Sequence, residues 1–261
     1  MLNLTQAQQE AVVQRQAETG HLFGETAVEL GFVSNNQVRR ALEQQQGFSV
    51  LSDGDDRIDP LVVTAFDPDD ILARTARNLR GTVTSAIRRD GKPVRSVALI
   101  GRDTEAELPI LVANLAVACA QTGLPTLLVD ADLNHPHHHA LFRVPNRAGL
   151  ATFLAGNEQS GLVQPAAIDS LSLLTTGPVV RNASELLDRQ RLANAIELFV
   201  EDFGLVLVDV GCEATAVAAT MGLDAAIIVM RRDVTYTHDL RLLLGQLETN
   251  GQTVLGTVLV D

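Results

Sequence analysis

From residue 94 onward, short apolar runs alternate with longer segments of mixed polarity. The runs cover 94–100 (VRSVALI), 125–131 (PTLLVDA), 170–176 (SLSLLTT), 203–210 (FGLVLVDV), 224–231 (DAAIIVMR) and 253–260 (TVLGTVLV). Their length, bounding Gly, Pro and Asp residues and richness in Val, Ile and Leu predict strands, with helices between them near 109–122, 183–202, 214–221 and 235–249. Runs that are apolar on both faces suit buried parallel strands, and strand–helix alternation requires right-handed crossovers. The pattern therefore predicts an α/β fold: a three-layer, mostly parallel sheet with helices on both faces. Ligands bind such sheets in the crevice beyond the carboxyl ends of the strands. Asp130, Asp132 and Asp209 fall there.

The pattern before residue 94 is different. Residues 1–46 read as a small helical module, with Thr5 and Ser34 as N-caps and Gly20, Gly31 and Gly47 at helix ends. Residues 47–60, GFSVLSDGDDRIDP, carry no helical period and read as an acidic linker. The main domain is expected over 61–261, entered through a helix near DPDDILARTARNLRGTVTSAIRR.

Composition narrows the function classes. Twenty basic residues stand against 32 acidic ones, a net charge of −12, which excludes a broad nucleic-acid surface or a general attraction to anionic lipid. Aromatics make up 3% of the chain, so the core must rest on Ala, Val, Leu and Ile. The polar start and the lack of an apolar run of about 20 residues predict a cytoplasmic protein without direct membrane insertion. Cys119 and Cys212 are too few for a disulfide framework and are expected to be inert thiols.

Residues 94–132 have the frame of a phosphate-binding unit: strand, loop, helix and a second strand ending in acids. The loop itself, RDTEAELP, lacks the glycines and lysine that the chemistry needs. Such loops work because glycines let successive backbone N–H groups converge on phosphate while Lys neutralises charge. Here Asp103, Glu105 and Glu107 would repel a triphosphate by several kcal/mol, even at an effective dielectric near 20. Acids at a helix N-terminus are also favoured by its dipole, so Glu105 or Glu107 is expected to satisfy the N–H groups that phosphate would take.

The succession ANLAVACAQTGLPTLLVDADLNHPHHHALFRVPNRAGLATFLAG, NASELL, GLVLVDVG and DAAIIVMRRDVT leading to VLGTVLVD resembles the bacterial cytoplasmic tyrosine-autokinase family of exopolysaccharide and capsule synthesis. That family is a branch of the deviant Walker-A ATPases, and the phrase DPLVVTAFDP resembles in particular its chain-length-determinant type. The resemblance implies a P-loop-NTPase-like fold. Aligned on ANLA, it puts Leu108 where the phosphate-binding Lys is expected and Pro109 and Ile110 where Ser or Thr would meet magnesium. Gly101 opens the degenerate loop, and Asp103, Glu105 and Glu107 take glycine positions. Asp130 and Asp132 correspond to the second acidic motif and Asp209 to the third, so Asp132 and Asp209 are the candidate metal ligands. Asn134 replaces an expected Arg, and Val210 and Gly211 replace a hydroxyl residue and Pro.

These kinases modify a Tyr-rich tail. This chain carries a single tyrosine, Tyr236, at the start of a predicted helix, so autokinase activity on a tyrosine cluster is not expected. Arg74, Arg77 and Arg80 share a helical face where the family has a ring-forming motif, and could meet an acidic partner. His135 and His137–His139 invite a zinc reading, yet neighbours on a turn point in different directions, which argues against convergence. The phrase FGETAVELGFVSNNQVRRALEQQ resembles the N-terminal domain of type II secretion and pilus-assembly ATPases, tandem copies of which bind cyclic di-GMP in some relatives. Gly24, Gly31, Leu42 and Gln45 fit that pattern, and Leu22 and Phe23 depart from it; docking is expected rather than cyclic di-GMP sensing.

The leading expectation is a pseudokinase-like regulator or scaffold in exopolysaccharide synthesis and export. Its partner would be an inner-membrane chain-length regulator or an active kinase homologue, bringing it peripherally to the inner membrane. The competing expectations are an active kinase or ATPase that binds Mg-ATP or ADP through a rearranged site, and a spatial-positioning ATPase.

Overall fold

The apolar runs become neighbouring strands of one seven-stranded sheet: β1 Ser96–Arg102, β2 Thr126–Asp130, β3 Val163–Pro165, β4 Leu171–Leu174, β5 Leu205–Asp209, β6 Ala225–Arg231 and β7 Val254–Val260. Their order is β3-β4-β2-β5-β1-β6-β7. Every pairing is parallel except β3 with β4. This computed structural model describes residues 4–34, 37–38, 50–52, 54–156, 161–178, 183–187, 191–212 and 215–261. The chain divides into two compact units, Met1–Val50 and Leu51–Asp261.

Alternate residues of each central strand feed opposite faces, as the two-residue strand period requires. Val97, Leu99, Leu128, Leu207, Ile227 and Val229 enter one apolar cluster. Their sequence neighbours Ala98, Ile100, Leu127, Val206, Val208 and Ile228 enter the other. Helix α4, Glu107–Ala120, packs in the first cluster and is buried on nearly every side. Its one polar interior residue, Asn114, accepts from the Thr64 N–H (2.8 Å) and donates to the Leu61 carbonyl (3.0 Å). It thereby fastens residues 61–64 along the helix. Ile58, within the stretch read as linker, is fully buried in the same cluster.

The long predicted helix before the sheet is α3, Ile71–Ser85, capped by the Asp70 carboxylate on the Leu72 N–H. The opposite face is covered by α8, Arg191–Val200, α9, Ala216–Ala219, and α10, Thr237–Thr249. After the short α6, Leu150–Leu154, the segment expected to be helical over 183–202 forms α7, Ala183–Leu186, and then α8. The antiparallel edge strand β3 had no counterpart among the predicted strands. Three residues ending in Pro165 are too short to register as an apolar run, and only an edge tolerates that proline.

In the first unit, α1, Gln6–Thr19, begins with a capping box between Thr5 and Gln8 and ends at Gly20, φ 73°. It is followed by α2, Phe23–Glu29, and the two bury Val12, Ala27 and Val33. Most of the third predicted helix, with Leu42, Gln45 and Gly47, lies outside the described residues. Among the described residues, no helix is long and apolar enough to cross a membrane.

Candidate functional site

Parallel pairing of β2 with β5 sets Asp130 directly opposite Asp209 at the carboxyl ends of both strands. Each residue is almost completely buried, at 1% and 2% exposure. The chain then turns through the histidine-rich segment into the short helix α5, His138–Leu141. Asp130 Oδ2 accepts the His137 and His138 N–H groups, both at 3.1 Å. Asp132 Oδ1 accepts those of Asn134 (3.3 Å) and His135 (3.0 Å). Asp209 Oδ1 accepts the Gly211 N–H at 3.0 Å, and Asp209 Oδ2 lies 2.9 Å from His138 Nε2. Asp130 Oδ1 and His138 Nδ1 are buried without a hydrogen-bond partner among the described residues.

Burial without full compensation raises the carboxyls. Desolvation pushes Asp130 up to about 6, only partly offset by the His138 charge, and Asp209 adds repulsion. Burial also raises Asp132. His138 pays desolvation as well, yet the Asp209 hydrogen bond and the charges of Asp130, Asp209 and Asp132 together move it above its ordinary value.

The loop after β1 is folded shut. Asp103 takes a left-handed conformation, φ 56°, which turns Thr104 inward to complete burial. Thr104 Oγ1 comes within 3.4 Å of Cys212 Sγ. A Cβ added at Gly101 would collide with both atoms. Gly101 also donates its N–H to the Gly211 carbonyl (3.0 Å), so the loop after β5 is clasped to the end of β1. Leu108, at 1% exposure, and Pro109 are buried in the first turn of α4. A cavity beside Gly101, lined in part by Ile100, Cys212 and Leu243, has 210 Å³, below the roughly 300–1,000 Å³ of ordinary ligand pockets.

The acids of this loop do not close it as expected. No side chain at the N-cap, Ala106, bonds the first turn of α4. Glu107 turns to Arg231 instead (3.4 Å), and Glu105 is exposed. The filling comes from Thr104, Leu108 and Cys212, apolar or small groups whose role the acidic character of the segment conceals.

Other sequence candidates disperse. Arg74 pairs with Asp69 at the surface (3.7 Å), Arg77 donates to the Pro68 carbonyl, and Arg80 donates to the Ala118 carbonyl at the end of α4 (3.1 Å). Two of the three arginines thus hold backbone in place. Of the histidines, His135 and His137 are exposed while His138 is buried. No three His, Cys, Asp or Glu side chains converge on a metal position among the described residues. Burial pushes Cys119 up to about 12 and Cys212 up to about 11, as befits inert thiols.

Magnesium is octahedral and is usually held by one or two carboxylates, with waters and phosphate oxygens completing its shell. Here both oxygens of Asp209, one of Asp130 and one of Asp132 already engage N–H donors or the His138 ring, and Thr104 and Leu108 of the loop after β1 are buried. Asp209 therefore presents no oxygen free of a donor, whereas Asp130 keeps Oδ1 unpartnered.

No protein-family model matches the chain. It is similar to CapB of Staphylococcus aureus, described as a candidate tyrosine-protein kinase, with 26% identity over 170 residues, 64% of this chain and 75% of that protein. It is also similar to the tyrosine-protein kinase Wzc of Salmonella typhi, with 30% identity over 196 residues, 74% of this chain. The match spans only 27% of Wzc, about a quarter of its length. Among solved structures, the kinase domain of the Escherichia coli tyrosine kinase ETK superposes with a TM-score of 0.71 at 24% identity, covering 83% of this chain and 91% of that domain.

Proposed function

Starting from a chain whose relatives are bacterial tyrosine-protein kinases and whose sheet is that of their kinase domain, we propose that it works by binding rather than by phosphoryl transfer. In this reading it is a pseudokinase-like regulator or scaffold of exopolysaccharide or capsule synthesis and export. It docks on an inner-membrane chain-length regulator or on an active kinase homologue, which brings it peripherally to the inner membrane. The larger unit, Leu51–Asp261, supplies the degenerate P-loop domain, with Leu51 and Ile58 of its first ten residues packed in the core rather than lying in a linker, and residues 1–46 act as a docking module.

The observation that carries this reading is the packed loop. In the loop whose sequence resembles a phosphate-binding one, with Leu108 at the position of its Lys, Leu108 and Thr104 are buried at 1% and 0% exposure. Admitting a triphosphate would require both to leave the core and Asp103, Glu105 or Glu107 to approach its charge. Burying Leu108 alone favours the closed loop by about 1.5–3 kcal/mol. Transition-state stabilisation in phosphoryl transfer depends on positioning and positive charge, and this loop contributes neither.

Calorimetric titration of the full chain with Mg-ATP and Mg-ADP tests the proposal. It expects no saturable heat below millimolar nucleotide. Micromolar affinity that vanishes in Asp209→Ala would overturn it in favour of an active kinase or ATPase with a rearranged site. Pull-down with the cytoplasmic segment of a chain-length regulator, or with a kinase homologue, then tests the partnership; retention of neither removes the scaffold role.

A further inference from the structure

Of all the described residues, His138 is the one that touches both facing strand-end carboxylates. Its backbone N–H reaches Asp130 Oδ2 at 3.1 Å, and its ring Nε2 lies 2.9 Å from Asp209 Oδ2. The ring is inside the protein: side-chain exposure is 1% for His138 and 3% for Asp209. Burying a polar ring is costly unless a partner compensates. The compensation here is one-sided, because His138 Nδ1 is left without a hydrogen-bond partner and Asp130 Oδ1 is likewise unpartnered and buried. Packing alone would be served better by an apolar side chain. What the imidazole adds is a donor aimed at Asp209, placed between two acids that the parallel register of β2 and β5 brings face to face.

We propose that His138 is the resident internal ligand of a latent divalent-cation position formed by Asp130 and Asp209, and that it holds this position closed to metal ions. The inference deepens the non-catalytic reading above and rests on it. The donors that compensate the two facing acids come from the protein itself: the His137 and His138 N–H groups at Asp130, and the His138 ring and Gly211 N–H at Asp209. Asp132 stays outside the lock, its Oδ1 being taken by the turn at 134–135. Its Oδ2 packs against Gly211, where an added Cβ would come within 2.6 Å.

The experiment is Mn²⁺ titration of the full chain without nucleotide, followed by electron paramagnetic resonance and by the thermal midpoint. The variants are His138→Ala, His138→Ser and His138→Ala combined with Asp209→Asn. Removing the ring should tighten Mn²⁺ binding about 10- to 100-fold over the unmodified chain, the worth of one hydrogen bond to a buried charge. The added Asp209→Asn change should abolish the gain. If His138→Ala or His138→Ser folds poorly, a midpoint that climbs with Mn²⁺ supports the proposal, because a ligand that binds only the folded state stabilises it. Variants that fold yet gain no Mn²⁺ affinity, variants that Mn²⁺ does not rescue, or an unmodified chain that already binds Mn²⁺ as tightly through Asp209 would each overturn it. A nucleotide-binding unmodified chain would instead sink the non-catalytic reading, which the metal-only titration does not address.

Discussion

Asp130 sits where the usual pH behaviour of a carboxylate reverses. Its folded-state value of about 6 lies above the 3.8 of a free Asp side chain, so between those values the folded chain holds its proton more tightly than the unfolded one. The stability it contributes is full below about pH 4 and is lost as pH rises through 6, on the order of 3 kcal/mol in total. His138, also raised, adds stability that is complete below the unfolded value near 6.5 and is lost as pH rises past its folded value. The thermal midpoint should therefore decline from pH 4.5 to 8, and Asp130→Asn should flatten the part of that decline below about pH 6.5. Identical profiles for the two proteins would mean that Asp130 does not titrate in this way. At this scale, the three acids were readable in the sequence as strand-end residues, because an apolar run followed by Asp has only one place to end. His138 was not. A row of histidines carries no direction, and only the register of β2 with β5 shows which ring turns inward.

Helix α4 illustrates what patterning reveals and what it misses. Its apolar character fixed its place between strands, but Asn114 was legible only as part of a family phrase. Its work is long-range: the amide bonds residues 61 and 64, and Gln121 adds a second bond to the Thr64 carbonyl (3.0 Å). Asn114→Ala would leave the buried Thr64 N–H without its acceptor, a penalty of about 2–4 kcal/mol. Urea denaturation should show the unfolding free energy drop by that amount, whereas a loss under about 0.5 kcal/mol would mean that this attachment is dispensable. Strand β3 and the reduction of the predicted 214–221 helix to α9 were hidden for another reason. Short edge elements owe their form to the neighbour they pair with or cover, and that neighbour is distant in sequence.

At the scale of the whole molecule, the alternation of strands and helices was enough to give the layered sheet, because few topologies satisfy buried parallel strands and right-handed crossovers together. The division at residue 50 follows from where apolar contacts close on themselves, Val12, Ala27 and Val33 in one unit and the two large clusters in the other. Residues 51–261 produced alone should unfold in one cooperative transition, with a midpoint within about 2 °C of the matching transition in the full chain. A broad or strongly lowered transition would show that the larger unit depends on the smaller. The burial of Leu108 has one further consequence, for the routes open to this sequence as it changes. Placing a lysine there, the obvious single step toward a phosphate-holding loop, would first put an ammonium group into a dry core, at a cost of several kcal/mol and with no phosphate yet able to enter. Thr104 would have to vacate the space over Gly101 beforehand, and the loop would have to re-form around the change.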